Sequence, residues 1–209
     1  IIKFIMPEIL VLYYSRNGSV QQMARLIARG IEMVPGVTAR VRTVPPVSAT
    51  TEKTESVIPE AGSPYVEIDD LRTCIGLALG SPTRFGNMSS AMKYFIDQLG
   101  GTWHAGDLVG KPATVFTSAS SMHGGHEITL ATMMFPLIHL GMVITGIPYS
   151  ERELHTTVTG GTPYGSSHFA GQDGERAISA EEKSLCIAQG KHLASIAMKL
   201  NQKTNSFLN

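Results

Sequence analysis

Cysteine and tryptophan are scarce in this chain, and an excess of charge of either sign is missing. Only Cys74 and Cys186 occur among 209 residues, far apart and without CxxC spacing. That excludes a disulfide-stapled scaffold and a cysteine-rich metal module, and two reduced, buried thiols are expected instead. Lysine plus arginine number 17, as do aspartate plus glutamate, so no one-signed field draws in nucleic acid or an anionic membrane. A neutral small molecule or a symmetric self-contact is the easier partner. No apolar run reaches the ~18 residues that a membrane span requires, so stable membrane insertion is not expected. With no cleavable signal evident, the expected location is cytoplasmic. Two phosphate motifs are missing as well. Without GxxxxGK[ST] a triphosphate cradle is disfavoured, and without GxGxxG after the first strand so is a dinucleotide held in the usual Rossmann manner.

What is present fits one α/β domain, since 43% of the residues are hydrophobic and the length suffices for a substantial core. Apolar, β-prone runs occupy residues 8–14, 37–44, 74–79 and 113–117, with a weaker one at 142–144. Three of them lack polar alternation, as strands buried on both faces of a parallel sheet do, whereas "TARVRTV" alternates like an edge strand. Helical patterns lie between them, at 19–33, 88–99, 128–140 and 180–200. The first is closed by Pro35-Gly36 and the second by Gly100-Gly101. The third is apolar nearly all round, which implies burial by more than its own sheet. Ser179, Glu181 and Glu182 suit the start of the last. Strand and helix therefore alternate, and a doubly wound sheet with right-handed crossovers is expected.

Residues 8–200 are read as a single domain. Residues 1–7 are expected to be a leader or unordered start, with Met6 as the native first residue, and 201–209 a flexible end. Two long excursions interrupt the repeat. Residues 45–70 are rich in Pro, Thr, Ser and Glu, and 147–179 contain "GGTPYGSSHFAGQDG", whose glycine density is expected to preclude a regular element. Tyr164, His168 and Phe169 among the glycines favour an ordered, functional second excursion.

Three polar turns follow the first, third and fourth strands, where a doubly wound sheet binds its ligands. In "YYSRNGSV" (13–20), Ser15, Asn17 and Ser19 offer side-chain hydrogen bonds. Gly18 allows a special backbone conformation, and the next helix begins with outward amides, so a monophosphate fits. The plainer alternative is a capped strand-to-helix turn. In "GSPTRFGNMSSAMKYF" (80–95), Pro82 and Gly86 bracket Thr83, Arg84 and Phe85, with simple helix entry as the alternative. In "FTSASSMHGGHE" (116–127), Thr117, Ser118, Ser120 and Ser121 form a loop of donors suited to the edge of a flat heterocycle. His123, His126 and Glu127 could suggest a metal, but nothing distant completes a coordination set, and no metal is expected. Trp103 is expected outside a helix, either packing or forming a stacking wall near the third turn. His139 is either a satisfied buried histidine or a ligand contact.

Read together, "LVLYYSRNGSV", "GSPTRFGNM", "LVGKPATVFTSASSMHGGHE", "GMVITGIPY" and "GGTPYGSSHFAGQDG" resemble the WrbA family of flavodoxin-like NAD(P)H:quinone oxidoreductases, over nearly the whole chain. The resemblance implies a flavodoxin-like, five-stranded parallel sheet of order 2-1-3-4-5 with helices on both faces. It also implies non-covalent FMN, NADH or NADPH as donor, two-electron reduction of a quinone by a ping-pong route, and a homotetramer built as a dimer of dimers. Carried over, Ser15, Arg16, Asn17, Gly18, Ser19 and Val20 hold the flavin phosphate. Pro82, Thr83, Arg84 and Phe85 meet the isoalloxazine, and Ser118, Ala119, Ser120, Ser121, Met122 and His123 line its ribityl side and ring edge. His139 matches the histidine that reaches the flavin from a neighbouring subunit and is the catalytic candidate, while Trp103 matches the substrate wall. The chain departs from many members at Asn17-Gly18-Ser19, where they carry Tyr-Gly-His, so the aromatic contact to the nicotinamide is lost and the preference between NADH and NADPH is open. Two other classes compete with the enzyme: a flavodoxin-type single-electron carrier and a non-catalytic FMN-binding module.

Overall fold

The first strand, β1 (Glu8–Tyr13), is an interior strand of the sheet, and its side chains divide between two cores. Ile9, Val11 and Tyr13 point to one face and Leu10 and Leu12 to the other, the period-two consequence of an extended backbone. The computed structural model describes residues 6–47 and 62–206, the side chains of 202–206 apart. The expectations for 1–5, 207–209 and most of the first excursion (48–61) lie outside the described residues.

Along the chain follow α1 (Ser19–Glu32), β2 (Thr38–Thr43), α2 (Ile68–Thr73), β3 (Gly76–Pro82), α3 (Ser90–Asp97), α4 (Gly100–Ala105), β4 (Pro112–Ala119), α5 (His126–His139), β5 (Val143–Ile144), α6 (Glu153–Thr156), β6 (Ser167–Phe169) and α7 (Ala180–Ser206). The strands are parallel and run in the order β2-β1-β3-β4-β5, as the family resemblance implies. β2 is the edge, half-buried throughout, with Arg40 and Arg42 reaching the Asp70 carboxylate of α2 at 2.9 and 3.0 Å.

One face of the sheet is covered by α1 and α7, whose Val20, Met23, Ile27, Ile31, Cys186 and Leu193 are buried against Ile9, Val11 and Phe116. The helices meet backbone to backbone, since a Cβ on Gly30 would overlap the Ile187 carbonyl and one on Gly190 the Ile27 carbonyl. The other face packs Met88, Met92, Leu130, Met133 and Leu137 on Leu10, Leu77, Leu79 and Val115. Both cysteines are free and buried, and burial pushes the Cys186 thiol up to about 12, which keeps it unreactive.

The structure differs from the sequence reading most clearly in the following elements. A sixth strand, β6, pairs in parallel with the end of β4, inside the excursion whose glycines were expected to preclude one. The chain does not leave helix at Gly100-Gly101 but enters α4 there, so Trp103 is helical. Asp69, Asp70 and their neighbours form α2, which starts at a reciprocal Glu67–Asp70 capping box. The last helix continues past Leu200 to Ser206.

Candidate functional site

Because β1, β3 and β4 are parallel and in register, with Tyr13 beside Gly80 and Pro82 beside Ser118, their carboxyl ends open on one edge. There the three polar loops border an open cleft, lined by Ser15, Arg16, Asn17, Ser19 and Val20, by Pro82, Thr83 and Arg84, and by Ser118, Ala119 and Ser120. Most of the predicted cofactor residues are thus brought together.

The phosphate end is built by the start of α1. Gly18 precedes the helix with φ 87°, no side chain caps it, and its first turn carries no acid. The free amides and helix dipole there favour an anion. The buried Ser15 Oγ has no hydrogen-bond partner, an arrangement that costs stability unless a ligand supplies one. Among the described residues no carboxylate lines the cleft, while Arg16 and Arg84 do.

The second loop is a tight turn in which Arg84 and Asn87 exchange backbone hydrogen bonds at 2.7 and 3.0 Å. It holds Phe85 at φ 52° with its ring fully exposed, a conformation that costs a non-glycine residue about 1–3 kcal/mol. The helix α5 supports the turn from below, Thr132 Oγ1 donating to the Gly86 carbonyl at 3.1 Å.

A fourth wall escaped the sequence reading. Ala170, Gly171, Gln172 and Gly174, just after β6, complete the cleft, and Gly174 lies so close to Asn17 that an added Cβ would stand 2.8 Å from Nδ2. The wall is tied to α7 by a buried contact, His168 Nδ1 to Glu182 Oε2 at 2.8 Å. Burial acts to raise the Glu182 carboxyl, but hydrogen bonds from His168 and from the Ser179, Phe169 and Gly160 amides outweigh it and hold the group at about 2. The glycine-rich "AGQDG" was the available signal, although its place in the cleft depends on β6.

The third loop divides. Ser118, Ala119 and Ser120 face the cleft, whereas Met122 and His123 line a neighbouring one with His126, Glu127 and Thr162. Ser121 spends its carbonyl on His126 Nε2 at 3.0 Å, and burial lowers the His126 ring below its usual range, keeping it neutral. Among the described residues no cluster of three or more His, Cys, Asp or Glu is placed to hold a metal.

Trp103 and His139 are not brought to the cleft within one subunit. α5 starts at the cleft edge and runs about 20 Å away from it, leaving His139 exposed just before β5. Trp103, 61% exposed, stands on α4 near Asp107, whose amide bonds Thr102 and whose carboxylate lies 3.8 Å from Arg72 below the start of β3. Its expected closeness to the third turn is therefore corrected, because α3 carries the chain to the opposite edge before α4 begins. Val109, Phe135, Ile138 and Val143, on or beside the same elements, are also exposed.

Residues 7–151 match the family described as NADPH-dependent FMN reductase. The chain belongs to that family. Its kinship extends past the matched region: it is 42% identical to a NAD(P)H dehydrogenase (quinone) of Geobacter sulfurreducens, over 93% of this chain and 99% of the relative. A protein of the same description from Acidithiobacillus ferrooxidans is 43% identical, again over 93% and 99%. Among solved structures, a WrbA-like flavodoxin from Agrobacterium tumefaciens superposes with a TM-score of 0.64 at 19% identity, covering 92% of this chain and 98% of the other. An archaeal flavodoxin gives 0.61 at 18%, covering 91% and 99%. At those identities the two structures support the flavodoxin-like fold. The family match ends before β6 and α7, so the fourth wall of the cleft is built by residues beyond it.

Proposed function

We propose that this family member is an FMN-dependent NAD(P)H:quinone oxidoreductase that reduces quinones to hydroquinones by two electrons, in a ping-pong sequence with both substrates using one pocket. The observation that carries the reading is the buried, partnerless Ser15 Oγ beside the uncapped start of α1, at the cleft of a chain 42% identical to a NAD(P)H dehydrogenase (quinone). The donor set fits a flavin mononucleotide. Serine hydroxyl, free amides and a helix terminus suit a phosphate without magnesium, and the cleft bears arginines but no acid among the described residues.

In this reading Ser15 to Val20 would hold the phosphate. Pro82, Thr83, Arg84 and Phe85 would bound the ring system, with Phe85 already turned outward by its backbone. Ser118 to His123 would bound its other edge. Bound FMN would supply the two-electron redox chemistry, with NADH or NADPH as donor, and the protein's part is to bind, orient and shield. The substrate wall, Trp103, and the catalytic candidate, His139, stand at the far edge of the same subunit, so a neighbouring copy has to supply them. The exposed apolar residues on or beside the same elements support a homotetramer arranged as a dimer of dimers. His139, delivered that way, would hydrogen-bond the flavin edge or the quinone oxygen as charge develops. A cytoplasmic location is proposed from the two free cysteines; among the described residues no helix is long and apolar enough to cross a membrane.

Steady-state rates with NAD(P)H and benzoquinone both varied test the shared pocket. Parallel double-reciprocal lines are expected, and intersecting lines would overturn the ping-pong sequence.

A further inference from the structure

The fourth wall of the cleft hangs from a buried pair that is not part of the cleft lining. Glu182, in the first turn of α7, and His168, in β6, are each 1% exposed. Glu182 Oε1 accepts from the Gly160 and Phe169 amides at 2.8 and 3.1 Å, and Oε2 from the Ser179 amide at 2.9 Å and from His168 Nδ1 at 2.8 Å. One carboxylate thereby gathers the two ends of the glycine-rich segment onto the helix.

His168 uses its second nitrogen as well. Nε2 lies 3.0 Å from the Arg176 carbonyl oxygen, which can only accept, so Nε2 carries a proton. Nδ1 faces a carboxylate, also an acceptor, and its bond too needs a proton. Fully satisfied, the site is a buried imidazolium–carboxylate pair.

Between His168 and Arg176 the chain makes a closed loop. The Arg176 amide donates to the Ala170 carbonyl at 3.0 Å and the Gly174 amide to that of Gly171 at 3.2 Å, while the Arg176 guanidinium stands 4.5 Å from the centre of the Phe169 ring. The tip of this loop meets the phosphate loop at Asn17. A continuous path of contacts therefore joins Glu182 to His168, to the loop base at Arg176, and through Gly174 to the residues that precede α1.

We infer that His168 is a positioning residue for the phosphate end of the cleft: its Nε2 bond to the Arg176 carbonyl sets the 170–176 loop against Asn17 and so controls cofactor affinity from outside the site. The inference rests on the FMN reading above. It concerns a segment that lies beyond the residues matching the family and a bond network that a substitution can cut on one side only. Asparagine at 168 places its amide where Nδ1 stands, keeping the bond to Glu182 and losing that to Arg176. Glutamine places its amide where Nε2 stands and keeps the bond to Arg176.

The test is FMN affinity, read by quenching of flavin fluorescence, in the wild-type protein, His168→Asn and His168→Gln, with the thermal midpoint of each flavin-free protein measured alongside. His168→Asn is expected to weaken FMN binding about tenfold or more, the loss that accompanies one charge-assisted hydrogen bond. His168→Gln restores affinity close to wild type, although both variants lose stability. Equal affinity in the two variants, whether unchanged or reduced in step with stability, overturns the inference. Should neither variant fold, Gly174→Ala presses on Asn17 without touching the pair, and unchanged FMN affinity there overturns it equally. A wild-type protein that binds no FMN removes the functional reading and this inference together; wild-type binding with indifferent variants removes the inference alone.

Discussion

Replacing Ser15 by alanine should move two properties in opposite directions. In the flavin-free protein the Ser15 Oγ is buried without a partner, and such a group costs about 1–3 kcal/mol. Alanine deletes the hydroxyl at little change in shape, so the flavin-free variant should be as stable as wild type or more so by about 1 kcal/mol, which for a domain of this size raises the thermal midpoint by about 2–4 °C. With FMN the sign reverses. The variant lacks a hydrogen bond to a charged phosphate, about 1.5–3 kcal/mol, so the dissociation constant should rise roughly 10–100-fold. Melting curves with and without saturating FMN, together with a fluorescence titration, measure both. An ordinary capping serine gives a different result: loss of stability in the flavin-free variant, with FMN affinity unaffected. That outcome would refute the assignment of Ser15 to the phosphate.

Other expectations follow from the same structure. Glu182 is held at about 2 against an ordinary 4.5; because the folded value is the lower one, its stabilisation, about 3 kcal/mol, is present above pH 4.5 and lost as pH falls toward 2. Urea unfolding across that range should show Glu182→Gln with a flatter acid limb than wild type; an equally steep limb would assign the acid sensitivity elsewhere. Since Trp103 and His139 stand at the far edge from the cleft, specific activity should fall on dilution in step with subunit dissociation seen by sedimentation, and activity independent of concentration contradicts a site completed by a neighbour. His139→Ala should reduce quinone turnover or flavin affinity, and Trp103→Ala should raise the KM for quinone more than it changes FMN binding; a His139→Ala protein with both properties intact removes that residue from the account. Gly30→Ala should cost about 1–3 kcal/mol in urea unfolding, because the new methyl overlaps the Ile187 carbonyl and parts α1 from α7.

The strands that form the middle of the sheet could be read from the sequence because burial on both faces leaves them as unbroken apolar runs, and their loops at the binding edge came with them. Ser15 to Asn17 with Ser19 and Val20, Pro82 to Arg84, and Ser118 to Ser120 reach the cleft because each stretch follows or ends a strand. β6 has no such run. Its three residues, Ser-His-Phe, are a strand only because β4 extends beside them and α7 reaches down to them: Gln189 bonds Thr114, Val115 and the Ser166 amide, and Glu182 holds the Phe169 amide. These contacts span more than ten residues in sequence, so local pattern carried no trace of them, and the fourth wall was missed with the strand. α4 was hidden for a different reason. Two glycines in succession signal a helix stop, but Leu99 accepts from the Trp103 amide at 2.9 Å and the chain turns into a new helix instead. For Trp103 and His139, residue type suggested a role, whereas their distance from the cleft depends on how α3, α4 and α5 cross the sheet.

The most direct measurement of the central claim is a visible spectrum of the purified protein titrated with FMN, followed by turnover of benzoquinone with NADH and with NADPH. Saturable flavin binding at one site per subunit, and quinone reduction that depends on bound FMN, are expected. A protein that takes up no flavin at saturating concentration, or binds it without reducing quinone with either nucleotide, contradicts the claim.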